Sequence, residues 1–473
     1  MAVPDPFDLL RPLGLSRPLG LLRDAAWTAE QLGRSALGQE RLRVAVTGLS
    51  RSGKTVFITS LLANLLAAGQ GRRALPALEA ASGGRLRDVR LVPAAAQTVP
   101  RFDLAGHLAA LAADPPSWPG RTEDLSTIEL TLTLERGSWI GGGLLGKRTV
   151  TLELLDYPGE WLLDLPMLSQ DYAAWSAATL ARLRREPRAT AAAAFLSFAD
   201  ALPAAAPAEE ALARRGFALY RDALRTCRDE LGMRFLQPGR ALNPGPRGEA
   251  PILWFFPLPH AEGGGLAELL RQRFDAYLAD QRESFFEPYF RRFRRQAVLV
   301  DVLGALHAGQ EAFEDTADAL AAIAGALRDE ESWLDRLLGV GPERVAFAAT
   351  KADHVPSRQR DALAALLGAL VHPEEAASSS VHVLASVRCT EDDVATLDGR
   401  PVAAVRGVLL ESGRVARVYP GEVPLRPPEP GYWAHGFFQM PEFQPPRLDP
   451  GAAAGVPHLG LDTLLARLIG DLL

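Results

Sequence analysis

Residues 43–66 read RVAVTGLSRSGKTVFITSLLANLL. Val44 to Thr47 is short, apolar and partly β-branched, which suits a buried strand. From Val56 to Leu66, Phe57, Leu61, Leu62 and Leu65 share one helical face. Between the two lies GLSRSGKT, two glycines with four residues between them, then a lysine and a threonine. A strand–loop–helix setting turns the string G-x(4)-G-K-[ST] into a phosphate-loop hypothesis. Gly48 and Gly53 let the backbone turn tightly, so that the N–H groups of Ser50, Arg51, Ser52, Gly53, Lys54, Thr55 and Val56 face a phosphate. The helix N-terminus adds partial positive charge. Lys54 is expected to reach the β- and γ-phosphates, and the Thr55 hydroxyl to ligate Mg2+. The serine nucleophile elbow G-x-S-x-G fails on spacing.

Lysine usage sharpens this reading. Of 51 basic residues only Lys54, Lys147 and Lys351 are lysines. Arginine serves almost everywhere else, so a lysine marks a place that needs a compact point charge on a thin stem. Lys351 stands in AFAATKAD (346–353), where T-K-x-D resembles the guanine-reading motif of GTPases. Asp353 is expected to accept from guanine N1–H and N2–H2, donors that adenine lacks. Lys351 would lie along the base plane, with Thr350 beside it. Val381 to Leu384 reads as a strand, after which Ala385, Ser386 and Val387 are candidates to offer a backbone N–H to guanine O6.

A second carboxylate for the metal belongs at the end of another strand. TVTLELLDYPGEW (149–161) supplies it: Thr149 to Leu155 alternates and then turns apolar, and Asp156 opens D-x-x-G with Gly159. Asp156 is expected on the Mg2+ side, and the Gly159 N–H against the γ-phosphate. Glu160 occupies the place of a water-positioning residue. In WPGRTEDLSTIELTLTLER (118–136) Thr122 precedes a strand at Ile128 to Leu134. That makes it a switch threonine and metal ligand, with Arg121 as a built-in arginine finger; Thr98 is the second candidate for the threonine. Further strands are expected at Gln296 to Leu303 and Arg344 to Ala349, with a helix over 310–338. The sites fall at C-terminal ends of strands, where doubly wound sheets bind ligands. No H-E-x-x-H and no Cys/His cluster of zinc spacing competes.

These residues resemble one family, the YcjX-like P-loop NTPases. The resemblance rests on 43–66, LELLDYPGEWLLDLP (152–166), QAVLVDVLGALHAG (296–309), ATKADHV (349–355), ASVR (385–388) and PHLGLDTLLARLIGDLL (457–473). It implies a bacterial nucleotide-binding protein associated with the phage-shock stress response. The family is often described as ATPases, whereas T-K-A-D argues for GTP.

The expected fold is α/β, a three-layer P-loop NTPase of Ras-like GTPase type, with a mixed sheet and a large helical insertion. Its parts are an N-terminal helical extension (1–40), the nucleotide domain in two pieces (41–164 and 296–398) and the helical insertion (165–295). A β-hairpin at 399–418 and a Pro- and aromatic-rich strap make up 399–450, and a C-terminal helix (451–473) closes the sheet. Helix-like stretches in the insertion lie near 168–185, 207–233 and 265–292. Its Arg clusters, RLRREPR (182–188) and RRFRR (291–295), read as solvated helix ends. Trp139, Ile140, Leu144 and Leu145 suggest an apolar hairpin tip.

Composition sets the outer limits. At 473 residues the chain is too long for one core. A net charge of -6 gives no reason to expect nucleic acid as a partner. Two cysteines offer no disulfide framework and suit a reducing compartment. The first twenty residues make a poor signal peptide, and no apolar run is long enough to span a membrane. The expectation is therefore a cytoplasmic GTPase, or one peripheral to the inner membrane. The motifs add GTP/GDP and Mg2+ as cofactors, and the family resemblance implies a protein effector or a membrane-associated stress partner. An ATPase using the same loop and a non-hydrolysing nucleotide-binding scaffold are the alternatives.

Overall fold

The computed structural model describes residues 39–49, 51–93, 101–120, 125–135, 147–245, 248–286, 293, 295–329, 344–372, 379–435, 438–449 and 454–473. The expected N-terminal extension (apart from its last two residues) lies outside them, as do the apolar hairpin tip, Ser50, Thr98, Arg121, Thr122 and most of RRFRR.

The central sheet has seven strands: β1 (Gln39–Gly48), β2 (Leu86–Leu91), β3 (Ser126–Glu135), β4 (Lys147–Asp156), β5 (Arg295–Val300), β6 (Arg344–Ala349) and β7 (Ser379–Val383). Their spatial order is β2-β3-β4-β1-β5-β6-β7. From β4 to β7 all neighbours are parallel, while β3 pairs antiparallel with both β2 and β4. This mixed α/β sheet is consistent with a Ras-like GTPase fold. Edge strand β2 escaped the sequence reading because its charged residues hide the apolar period.

Two faces explain the near-continuous apolar strands. Val44, Val46, Leu299 and Ala348 face one side, buried with Phe57, Leu61 and Leu65 of α1 (Lys54–Gly69). The last helix of the chain covers the same side. Ala45, Val298, Val300 and Phe347 face the other. There α7 (Val302–Ala308), α8 (Gln310–Asp329) and α9 (Arg360–Val371) cover them. A shorter helix, α2 (Leu104–Ala112), lies beside α1.

Between β4 and β5 the chain runs through α3 (Tyr172–Leu183), α4 (Ala193–Asp200), α5 (Glu210–Asp229) and α6 (Leu266–Gln281). These helices share an aromatic core that includes Trp175, Phe195, Phe217, Tyr220, Phe255, Phe274 and Tyr277. After β7 a separate sheet has the order β10-β9-β8, formed by β8 (Thr390–Leu397), β9 (Arg400–Val408) and β10 (Val415–Val418). The chain then continues as a largely irregular strap to α10 (Leu461–Ile469). Asn64 of α1 ties this stretch down: its side chain donates to the Val456 carbonyl at 3.1 Å and accepts the Val456 N–H at 3.0 Å.

Several expectations need correction. The strand expected to reach Leu303 stops at Val300, because Asp301 accepts the Gly304 N–H at 2.9 Å and starts α7. The hairpin of 399–418 is the outer part of a three-stranded sheet that begins at Thr390. The Arg clusters are solvated only in part: Arg184 and Arg185 are exposed as expected, while other described members are not. Arg188 is buried against Asp315 of α8, and Arg182 stacks 4.1 Å over the Phe235 ring. Arg295 is buried as well, paired with Asp471 at 2.7 Å. Arg182, Arg188 and Arg295 each found a partner far along the chain, which local charge patterning does not reveal.

Asp315 also accepts the backbone N–H groups of Arg234 and Phe235, so it binds α8 to the helices between β4 and β5. Replacing it with alanine strands a buried guanidinium and two N–H groups. Asp315→Ala is expected to cost about 3–5 kcal/mol in denaturant unfolding. A loss below about 1 kcal/mol, the worth of an exposed pair, would contradict this role.

Candidate functional site

At the end of β1 the chain folds back on itself. A Cβ at Gly48 would sit 2.4 Å from both the Leu299 carbonyl oxygen and Ser52 Oγ, so only glycine passes here. Arg51 (φ 66°) and Gly53 (φ 83°) take the left-handed conformation. Such residues turn successive N–H groups toward one concavity, a shape that receives anions. The loop closes with the Ser52 N–H donating to the Leu49 carbonyl at 3.1 Å. Helix α1 begins at Lys54 with no side-chain cap, leaving its N-terminus to the loop. Lys54 Nζ donates to the Gly48 carbonyl at 3.1 Å, bending its ammonium over the turn. Arg51 is exposed, Thr55 is buried in the first helical turn, and Val56 packs near Val387 and Leu448.

Asp156 ends β4 opposite Val46 of β1 and is buried. Three residues on, Gly159 lies so close to the loop that a Cβ there would be 1.6 Å from the Gly48 carbonyl oxygen. One carbonyl thus meets both the loop lysine and the glycine of D-x-x-G. The next residues turn the other way. Gly239 packs on the Glu160 carbonyl, where its Cβ would approach to 2.0 Å. Trp161 donates through Nε1 to the Asn243 carbonyl at 3.0 Å, and the Arg240 guanidinium stacks 4.2 Å over its ring. Asp164 is fully buried, accepting the Gly239 N–H at 2.8 Å and the Tyr277 hydroxyl at 2.5 Å. Burial pushes its carboxyl up to about 7, against the opposing pull of these hydrogen bonds and the Arg240 charge.

Two strands from β1, β6 delivers T-K-A-D to the same edge of the sheet, about 10 Å away at ordinary strand spacing. The Thr350 N–H donates to the Val300 carbonyl at 2.9 Å. Lys351 is left-handed (φ 60°), and its Nζ meets Asp301 Oδ2 at 2.5 Å. Asp353 is only 1% exposed. Its Oδ2 accepts the Cys389 N–H at 2.8 Å and the Cys389 thiol at 3.0 Å, and its Oδ1 lies 3.2 Å from His354 Nδ1. Burial opposes the charge, yet the contacts from His354 and Cys389 outweigh it and hold Asp353 below its ordinary value. Ala385 is already used: its N–H donates to the Leu459 carbonyl at 2.9 Å, and Arg388 N–H to Pro457 at 2.7 Å. Ser386 lies in the turn between them, and Val387 is buried beside Ala63 and Val456.

The structure brings Gly48, Lys54, Asp156, Gly159 and Thr350 to Asp353 to one edge of the sheet. Sequence reasoning missed Asp301, although its place at the end of β5 was a usable signal. It also missed Gly239, Asp164, His354 and Cys389, whose roles come from contacts over long stretches of chain. Among the described residues, no helix is long and apolar enough to cross a membrane.

Residues 42–473 match the model of the YcjX-like family, DUF463. Two curated relatives carry the name "Ras-like GTPase YcjX". The one from Escherichia coli (strain K12) is 38% identical over 448 residues, covering 91% of this chain and 95% of the relative. The one from Shewanella oneidensis is 34% identical over 458 residues, covering 91% and 94%.

Two outcomes follow from this geometry. Gly159→Ala drives a methyl into the Gly48 carbonyl, so it should open the contact between D-x-x-G and the loop. Nucleotide affinity measured by calorimetry should fall by about tenfold or more, the equivalent of 1.4 kcal/mol; unchanged affinity would refute the contact. Asp164 binds its proton more tightly folded than unfolded. Its contribution is therefore full below about pH 4 and is lost as pH climbs through about 7. Asp164→Asn, which keeps the neutral form, should gain stability relative to the parent as pH rises from about 4 to about 7, and hold that gain above 7, in paired urea melts. Parallel pH profiles would exclude the assignment.

Proposed function

The chain belongs to the YcjX-like family, and on that premise we propose that it is a P-loop GTPase that hydrolyses GTP with Mg2+ and acts as a stress-associated switch. The observation that carries this reading is the shared carbonyl of Gly48, which joins the phosphate loop to Gly159 of D-x-x-G on the sheet edge that also bears Thr350 to Asp353. In this reading Ser50, Arg51, Ser52, Gly53 and Val56 offer loop N–H groups to phosphate oxygens. Lys54 leaves the Gly48 carbonyl for the β- and γ-phosphates. The Thr55 hydroxyl and Asp156 carboxylate are a hard oxygen pair that fits Mg2+, with Thr122 as a further oxygen; the ion would neutralise charge between the phosphates when bound.

Hydrolysis then proceeds by in-line attack of water on the γ-phosphorus as the bond to the β–γ bridging oxygen breaks. Glu160 accepts the proton of the water, Gly159 N–H steadies the γ-phosphate and Arg121 spreads the developing charge. On the base side Thr350, Lys351 and Asp353 select guanine, assisted by the backbone of Ser386 and Val387, since the Ala385 N–H is already donated to Leu459. The helices between β4 and β5 serve as an insertion subdomain that reads the position of residues 159–169 and contacts a protein effector or a membrane-associated stress partner.

A specific observation favours a second reading, in which the same loop serves an ATPase. Both oxygens of Asp353 already face His354 and Cys389, and the carboxylate is buried. Guanine would have to take up the remaining lone pairs of that carboxylate.

Paired GTP and ATP titrations with single-turnover assays decide between them. Lys54→Ala is expected to abolish turnover and weaken both nucleotides about a hundredfold. Asp353→Asn should weaken GTP by about tenfold or more while leaving ATP unchanged. Equal affinity for GTP and ATP in the parent chain would instead refute guanine selection, ATP cleavage faster than in buffer would then establish the ATPase reading, and a rate no faster than nucleotide in buffer would remove hydrolysis altogether.

A further inference from the structure

Three metal-ligating side chains of different chemistry converge on one point at the edge of the sheet where β6 ends. Asp353 and His354 come from the turn that leaves β6, and Cys389 from the residue before β8. A carboxylate oxygen, His354 Nδ1 and Cys389 Sγ lie within 4.8 Å of one another. The closest approaches, 3.0 Å from sulfur to Oδ2 and 3.2 Å from nitrogen to Oδ1, are slightly shorter than a tetrahedral ion needs, so the trio opens a little to admit one. Zinc bonds of about 2.0–2.3 Å place neighbouring ligands about 3.3–3.6 Å apart.

We propose that Asp353, His354 and Cys389 form a binding site for a thiophilic divalent cation of the zinc class, with water as the fourth ligand. Sulfur and imidazole select against Mg2+, which prefers six oxygens. Binding takes the lone pair of a neutral His354 and releases the Cys389 thiol proton to solvent, so one carboxylate and one thiolate balance the two charges of the ion. The flanking cations do not oppose it strongly: Lys351 is paired with Asp301, and Arg360 lies 3.5 Å from Asp392. The ligands are held from behind. Thr390 donates its hydroxyl to the Asp353 carbonyl, and the His354 ring meets Phe443 edge-on at 5.0 Å. Because the carboxylate and not the imidazole sits beside the sulfur, the trio is not built as a Cys–His nucleophile.

The same carboxylate is the proposed reader of guanine. A bound zinc-class ion therefore competes with the base, which makes nucleotide affinity responsive to metal; this consequence rests on the guanine reading above.

Cobalt(II) titrated into the full chain, with any affinity tag removed, tests the site directly. A thiolate-to-cobalt charge-transfer band should saturate at one equivalent and be displaced by Zn2+. It should vanish in Cys389→Ser and persist in Cys227→Ser, since Cys227 is buried in the aromatic core of the helices. His354→Gln should keep the band at saturation and weaken affinity about tenfold or more. Absence of the band in the parent chain, or its survival in Cys389→Ser, overturns the site. In a second arm Zn2+ should weaken a fluorescent GTP analogue about tenfold or more in the parent and leave Cys389→Ser unaffected. A cobalt band without that competition upholds the metal site and refutes guanine reading by Asp353.

Discussion

The carbonyl oxygen of Gly48 is the point on which the rest of the site depends. It accepts Lys54 Nζ from one side and is touched by Gly159 from the other. Neither contact tolerates bulk: Gly48 is hemmed by Leu299 and Ser52, and Gly159 has no room for a single methyl. Steric exclusion, more than hydrogen bonding, thus holds the phosphate loop and D-x-x-G in register. The flanking strands make this possible because β1 and β4 are parallel neighbours, and both motifs leave the sheet at the same edge.

The residues just after Gly159 carry that register outward. Glu160 touches Gly239 through its carbonyl, Trp161 is bonded to Asn243 and stacked by Arg240, and Asp164 is bonded to Gly239 and Tyr277. A displacement of Gly159 by even a fraction of an ångström cannot stop there, since its neighbour is packed against backbone. A close-packed segment moves as a unit or between discrete arrangements. The buried carboxyl of Asp164 is a costly thing to place in such a segment, which makes the junction sensitive to protonation as well as to position.

Much of this arrangement was legible in the sequence because it is local. The loop between β1 and α1, Asp156 at the end of β4, and T-K-A-D after β6 each combine a strand period with a turn signal over about a dozen residues. What the sequence concealed depends on distant partners. Arg188 looked like a charged helix end and is a buried ion pair with Asp315. Cys389 gave no spacing signal with His354, because the two lie in different turns that meet only when β7 is in place. Strand β2 was hidden by its alternating charges, and Asp301 ended β5 early by capping a helix that the apolar run disguised.

Asp353 shows why identity of motif and identity of environment are separate questions. A carboxylate that reads a base must face the cleft, and one that is satisfied by its own protein need not. Here burial, a thiol, a backbone N–H and an imidazole all act on the same two oxygens. Hydrogen bonds to its ionised form hold it deprotonated despite burial, so the group is poised as an acceptor at neutral pH. Its remaining lone pairs are the feature on which both the proposed base contact and the proposed cation site draw. On the proposed readings, Cys389 and His354, which lie outside the T-K-x-D motif itself, would decide which occupant that carboxylate takes.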